Sequence, residues 1–279
     1  MDAATQTLRR TRGWQASLQL GFRPQARRTV LAERRRLGPL AVQRPFYPEG
    51  GICHVYLLHP PGGVVGGDTL DIDVHVRSGA QALVTTPGAT KFYRSSGPCA
   101  RQDQHLIVAP GASLEWLPQE NIFFPGAQAT LQTNVELQGD ARLALWEIHC
   151  LGRPTIDEVF ESGRIDSRTA IVRDGVPLVL DRLRVSADNR SRLSLMAGLP
   201  VGGTLYLSHA GEDEVEACRD LLLVEGPDYA GATLIDDILV VRYLGRSTER
   251  ARRLFNAVWQ LLRPSTLGRT ASVPRIWST

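Results

Sequence analysis

Every second residue is apolar through Leu70-Asp71-Ile72-Asp73-Val74-His75-Val76, a period of two that predicts a half-buried strand. The same alternation, in short stretches punctuated by glycine and proline, runs from about Gly13 to Val185. A turn signal recurs within it, glycine then alanine then a new extended segment, at Gly79-Ala80, Gly88-Ala89, Gly111-Ala112 and Gly126-Ala127; three of the four follow a proline. Glycine supplies the positive φ that such a turn requires and proline presets the φ before it, so Ala80 to Thr85 and Ala129 to Leu137 read as strands. Such turns join hairpins or stack the coils of a β-solenoid, and their intervals of nine, 23 and 15 residues fit no strict repeat.

After about residue 200 the period lengthens. Glu212 to Val224 places Val215, Cys218, Leu221 and Leu222 on one side of a helix, with acidic residues in the first turn where the helix dipole favours them. Ile238 to Leu244 reads as a strand. Ser247 is an N-cap for a second helix, whose stripe of Leu254, Phe255, Val258, Leu261 and Leu262 is expected to end at Pro264. The expected fold is therefore mainly β, of the α+β class: a twisted or helical-type β-sheet architecture with two C-terminal amphipathic helices. Residues 1–12 read as a flexible basic N-terminus, and 13–279 as a single domain, β-rich to about 200 and mixed α/β beyond.

Charge adds an asymmetry. The 279-residue chain carries +3 overall, but residues 1–44 hold ten arginines against Asp2 and Glu33, a net of +8 that leaves −5 for the rest. A basic arm suits an acidic protein face or nucleic acid. Nucleic acid is disfavoured, because Lys91 is the sole lysine and no helix-turn-helix, RRM, KH or zinc-finger signature accompanies the charge. No apolar run approaches the ~20 residues that span a bilayer, and Met1 to Arg12 lack the apolar stretch of a secretory leader, so a cytoplasmic protein is expected. Cys53, Cys99, Cys150 and Cys218 lie far apart without zinc-type spacing and read as free thiols in a reducing compartment.

The search for chemistry mostly excludes. Pro61-Gly62-Gly63-Val64-Val65-Gly66-Gly67-Asp68 lacks the lysine of a phosphate-cradling loop and leads into a strand rather than a helix, so its glycines serve a tight turn and close backbone approach. There is no GxSxG, SxxK or HExxH. The six histidines are dispersed, and in Cys53-His54 and His149-Cys150 the neighbours point to opposite faces of a strand. Two carboxylates stand out. Asp68 follows the glycines, and Glu147 sits in Leu143-Ala144-Leu145-Trp146-Glu147-Ile148 on the face opposite Trp146 and Ile148. If that face is interior, Glu147 needs a partner, water or a cation; if exterior, it is an ordinary solvated residue. An all-β hydrolase with dispersed catalytic residues stays open at this point.

A set of blocks in one order resembles a known family. They are Gly13-Trp14-Gln15-Ala16; Gly38-Pro39-Leu40 with Val42 through Glu49; His54 and Tyr56 through Gly63 to Gly66-Gly67-Asp68; Pro87 through Ser95; Leu114 through Glu120; Phe123 through Ala127; Cys150-Leu151-Gly152-Arg153-Pro154; Val258 through Pro264; and Pro274-Arg275-Ile276-Trp277. Together, over residues 13 to 277, they resemble the urease accessory proteins called UreD, or UreH in some organisms. The resemblance implies a non-enzymatic chaperone with a twisted β structure. It would join UreF and the GTPase UreG, dock this assembly on apo-urease, and assist nickel insertion through an internal water-filled tunnel. It implies no permanently bound cofactor, only nickel in transit. Asp68 and Glu147 match the family's acidic positions and become candidates for lining the nickel path. Trp259, Leu262, Arg263 and Pro264, in the C-terminal helical region, become candidates for docking UreF, although the same stripe is equally explained as core. At Gly50-Gly51 the chain departs from the polar residues expected of relatives, so no metal role is carried there.

Overall fold

Glycine turns and alternating strands wind the chain into stacked coils. In the computed structural model, which describes residues 13–225 and 229–278, a hairpin of β1 (Gln15–Gln25) and β2 (Arg28–Leu37) is followed by β3 (Ala41–Val42), which pairs with β4 (Cys53–Leu58). The basic N-terminus expected over 1–12 lies outside the described residues. Strand β4 and strand β5 (Thr69–Val76) make a first coil. The second is β6 (Gln81–Thr85), β7 (Thr90–Phe92) and β8 (Ala100–Val108), and the third is β9 (Ser113–Leu117), β10 (Asn121–Phe123) and β11 (Gln128–Leu137). The fourth is β12 (Arg142–Arg153), β13 (Glu158–Val159) and β14 (Arg164–Arg173), and β15 (Val176–Ser186) folds back on β14 as a hairpin. An antiparallel set of β16 (Val201–Ser208), β17 (Tyr229–Ile235) and β18 (Ile238–Gly245) follows, with helix α1 (Glu212–Glu225) before β17 and helix α2 (Thr248–Leu267) after β18.

Stacking the coils produces two large sheets. In the first, β1, β5, β8, β11 and β14 are parallel neighbours, closed at either edge by the antiparallel strands β2 and β15. In the second, β4, β6, β9 and β12 are parallel, flanked by β3 on one side and by β16, β18 and β17 on the other. A short third face stacks β7, β10 and the end of β12, with Phe92 and Phe123 rings 4.8 Å apart and nearly parallel. Each turn from the first sheet into the second places a glycine at positive φ: Gly79, Gly111 and Gly139, spaced 32 and 28 residues apart. Gly126, also at positive φ, belongs to a different corner, and Gly88 needs no positive φ. The irregular intervals in the sequence therefore came from pooling turns of different kinds.

Between the sheets lies the main core. Leu18, Leu20, Ile72, Val74, Leu106, Leu131, Val135, Leu143 and Leu145 are all buried there, each contributing about 1.5–3 kcal/mol relative to exposure. The outer face of the second sheet carries Trp146, Ile148, Leu205, Leu207 and Val241, and the two helices cover it. On α1 the buried residues are Val215, Cys218 and Leu222; on α2 they include Leu254, Phe255, Val258 and Leu262. Leu261, expected in the stripe, is exposed. Ser247 caps α2 by accepting from the Arg250 amide, as the sequence predicts. The helix does not stop at Pro264 but runs on to Leu267 and ends at Gly268 in the left-handed region. Proline is tolerated because Pro264 and Gln260, the residue whose carbonyl it leaves unbonded, both lie on the exposed side. The hydroxyls of Ser265 and Thr266 satisfy the buried-side carbonyl of Leu262.

One charged cluster fixes α2 on the sheet. The fully buried Arg263 guanidinium donates from Nε and Nη2 to the two oxygens of fully buried Glu115, at 3.0 and 2.8 Å, and also to the Glu49 carboxylate and the Thr270 carbonyl. Trp259 Nε1 donates to Glu115 at 2.7 Å, and His54 Nε2 lies 2.7 Å from Glu49. Burial pushes the Glu49 carboxyl up, but hydrogen bonds from His54 and Arg263 outweigh it and hold it below its ordinary value.

Truncating Arg263 to alanine would leave Glu115 buried and uncompensated. The expected cost is about 3–5 kcal/mol in urea unfolding, against less than about 0.5 kcal/mol for Arg34→Ala on the exposed part of β2. The thiols give a second check. Burial pushes Cys150 up to about 12 and Cys218 up to about 11, and raises Cys53, whereas Cys99 is exposed. A disulfide reagent at pH 8 is expected to titrate one thiol per native chain rapidly, and all four only after denaturation.

Candidate functional site

The inner row of β12 reads Leu143, Leu145, Glu147, His149, Leu151, so two polar residues interrupt an apolar file. Strand register, parallel in some pairs and antiparallel in others, carries the interruption part-way across each sheet. On the first, Gln104, Thr133, Thr169 and Asp181 are successive cross-strand neighbours of β8, β11, β14 and β15. On the second, Glu147, Thr204 and Arg242 are neighbours of β12, β16 and β18. The two rows face each other and form a polar belt inside the apolar sandwich.

The belt closes through Glu147. Thr133 Oγ1 donates to its Oε1 at 2.6 Å and Thr169 Oγ1 to its Oε2 at 2.9 Å, so hydroxyls of the opposite sheet hold both carboxylate oxygens. The interior alternative for Glu147 is the one the fold adopts. Two residues on, His149 Nε2 lies 3.2 Å from Ser167 Oγ and 4.0 Å from Glu147 Oε2, and its Nδ1 lies 3.5 Å from the Asn121 amide nitrogen. Burial lowers the His149 pKa and keeps the ring neutral, against the opposing charges of Glu147 and Asp181. Farther along, Asp181 Oδ2 accepts from Tyr206 at 2.8 Å and is ion-paired with Arg242 at 2.7 Å. Burial, with Asp181 beside it, raises the Tyr206 hydroxyl well above its ordinary pKa and holds it protonated.

Two cavities meet this belt. One, of about 550 Å³, is lined by Glu147, His149, Ser167, Thr169, Asp181 and Tyr206 and opens past Tyr229. The other, of about 390 Å³, is bordered by His59, Thr90, Gln102, Gln104, Asn121 and again Glu147. Glu147 is the residue common to both. Each volume far exceeds the ~10–15 Å³ that holds one water, and the polar lining supplies partners for it.

Asp68 occupies a different kind of position. It is buried, and its two oxygens accept from the backbone N–H groups of Trp14 and Val65, at 2.8 and 2.9 Å. It therefore ties the glycine loop to the chain entering β1. The loop has the close approach its glycines suggest, since a Cβ on Gly13 would sit 2.1 Å from the Gly67 carbonyl carbon. Asp68 lines neither cavity, but its charge reaches His59, which does; burial lowers the His59 pKa, against the pull of Asp68. Of the four C-terminal candidates, Trp259, Leu262 and Arg263 are buried against the sheet, and Pro264 is exposed. His149, Thr133 and Thr169 were not singled out from sequence. The signal was present in Glu147 and His149 at i and i+2, but their hydroxyl partners come from strands 14 to 22 residues away.

The comparisons agree along the whole described chain. The family profile described as UreD urease accessory protein matches residues 15–278. A urease accessory protein UreD of Alcanivorax borkumensis is 49% identical over 278 residues, covering 97% of this chain and 94% of the relative. Those of Citrobacter koseri and Klebsiella aerogenes are each 47% identical, covering 96% of this chain and 93% and 98% of theirs. With blocks, profile and relatives in accord from end to end, the chain belongs to the UreD family of urease accessory proteins.

Proposed function

We propose that the protein is a non-enzymatic scaffold for urease maturation, which binds UreF and UreG, docks on apo-urease and assists the passage of nickel to the urease active site through its own interior. The observation that supports this reading most is the polar belt with Glu147 shared by two cavities, in a chain whose relatives are named as urease accessory proteins. A protein that only presented surfaces would gain nothing from a charged residue and water-sized space in its core, where burial of polar groups is costly. Carboxylate, hydroxyl and water donors bind a borderline divalent ion loosely enough to release it, unlike a closed cysteine–histidine site. No helix among the described residues is long and apolar enough to cross a membrane. A cytoplasmic site of action, where apo-urease is assembled, fits this reading.

A second reading, a hydrolase with dispersed catalytic residues, has one observation in its favour: Ser167, His149 and Asn121 are linked by contacts of 3.2 and 3.5 Å. Turnover of model esters by the purified chain, lost in Ser167→Ala, would support it; no turnover is expected.

Deleting the gene is expected to leave urease expressed but poor in nickel, which metal analysis of purified urease would read; fully nickel-replete, active urease in the deletion strain would overturn the scaffold. Glu147→Ala is expected to spare co-purification with UreF and apo-urease while lowering the nickel content of urease several-fold. Asp68→Ala is expected to lower delivery by another route. It removes two charge-assisted bonds to backbone, a loss of about 2–4 kcal/mol of stability visible in chemical denaturation.

A further inference from the structure

We propose that His149 joins Glu147 in a two-ligand resting site for a divalent cation of borderline hardness, in the 550 Å³ cavity beside the point where Glu147 borders the other. The inference deepens the nickel-path reading and rests on it. Both side chains project from β12 to the same inner face, two residues apart. His149 Nε2 and Glu147 Oε2 are 4.0 Å apart. Two metal–ligand bonds of about 2.1 Å span at most ~4.2 Å, so one ion can touch both atoms where they stand, and a small rotation of either side chain opens a less linear geometry.

The surroundings suit an ion that must leave again. The groups already bonded to these atoms are neutral hydroxyls: Ser167 at 3.2 Å from Nε2, Thr169 at 2.9 Å from Oε2 and Thr133 at 2.6 Å from Oε1. A hydroxyl can rotate its proton away and offer an oxygen, and with Nε2 turned to an ion the ring proton sits on Nδ1, where the Asn121 side-chain amide, turned over, presents its oxygen as acceptor. Among the described residues no three His, Cys, Asp or Glu side chains converge as metal ligands. The remaining positions would fall to water, for which the 550 Å³ cavity has room. Asp181 lines the same cavity without competing for the ion, because its charge is paired with Arg242 and Tyr206 donates to the same Oδ2. One imidazole with one carboxylate favours nickel, cobalt or zinc over magnesium or calcium, whose preference is for oxygen alone. Asp68 cannot serve in this way, since binding there would undo the two backbone hydrogen bonds that tie its loop.

The test is equilibrium dialysis of the purified full-length chain against Ni²⁺ alone, with Co²⁺ as a spectroscopic probe. The wild type is expected to bind one ion weakly, with a cobalt signal bearing histidine nitrogen. His149→Asn and Glu147→Gln should each weaken binding at least tenfold, whereas His105→Ala, which removes an exposed histidine on the outer face of β8, should leave it unchanged. Thermal unfolding of each variant accompanies the titration. If His149→Asn fails to fold, Glu147→Gln, nearly the same in shape, carries the test. The site is overturned if the wild type binds no nickel, if both variants bind as well as the wild type, or if His105→Ala loses binding equally. Normal nickel delivery to urease by His149→Asn would likewise remove the resting site while leaving the scaffold intact. Loss of the scaffold reading itself would appear separately, as nickel-replete urease in a strain without the protein.

Discussion

Strand register, parallel within the coils and antiparallel where β15, β16 and β18 join them, decides which side chains meet inside this protein. When strands of successive coils lie side by side without slippage, an inward residue of one coil sits beside the inward residue at the same level of the next. A polar residue at one level can then find polar partners at the same level of neighbouring strands. Gln104, Thr133, Thr169 and Asp181 line up in this way on one sheet up to Ile72 on β5, and Glu147 and Thr204 on the other, with Arg242 beyond them at the exposed end. The belt is thus a property of register, and the space beside it follows because short hydroxyl side chains fill less volume than the leucines and valines above and below.

Much of this was legible in the chain. Alternation located β5, and the glycine turns located β6 and β11, each to within a residue; the change of period located both helices, because each signal depends on local geometry that tertiary contacts did not override. What was not legible depends on distance. The repeat of about 30 residues was obscured by insertions of different length in each coil and by Gly88 and Gly126, which turn other corners than Gly79, Gly111 and Gly139. Glu147 could be assigned a face but not an environment, since the opposite sheet supplies the hydroxyls that hold it. Asp68 shows the converse. An acidic residue after four glycines suggests exposure to a ligand, yet its partners are the amides of its own loop and of Trp14, 54 residues upstream.

The end of α2 shows why an amphipathic stripe is weak evidence for a docking surface. Arg263 lies within it and looks like a surface charge, but the guanidinium is enclosed between two carboxylates, one on β9 and one in the loop before β4, and its plane lies 4.8 Å from the Trp259 ring. A charge so placed contributes less to net stability than to uniqueness, because sliding the helix by one turn would strand three ionised groups in an apolar layer.

The antiparallel strands at the two ends of the first sheet bear on assembly. A stack of parallel coils invites another copy to continue it, since its last strand leaves a row of amides and carbonyls open. Here the terminal strands run against the stack's direction, and both carry arginines on exposed positions: Arg34, Arg35 and Arg36 on β2, Arg182 and Arg184 on β15. A second copy meeting either edge would meet long arginine side chains, those of β15 paired with Asp166, and a strand polarity reversed from that of the stack. At these two edges of the first sheet the stack is therefore closed by strands that do not repeat its direction.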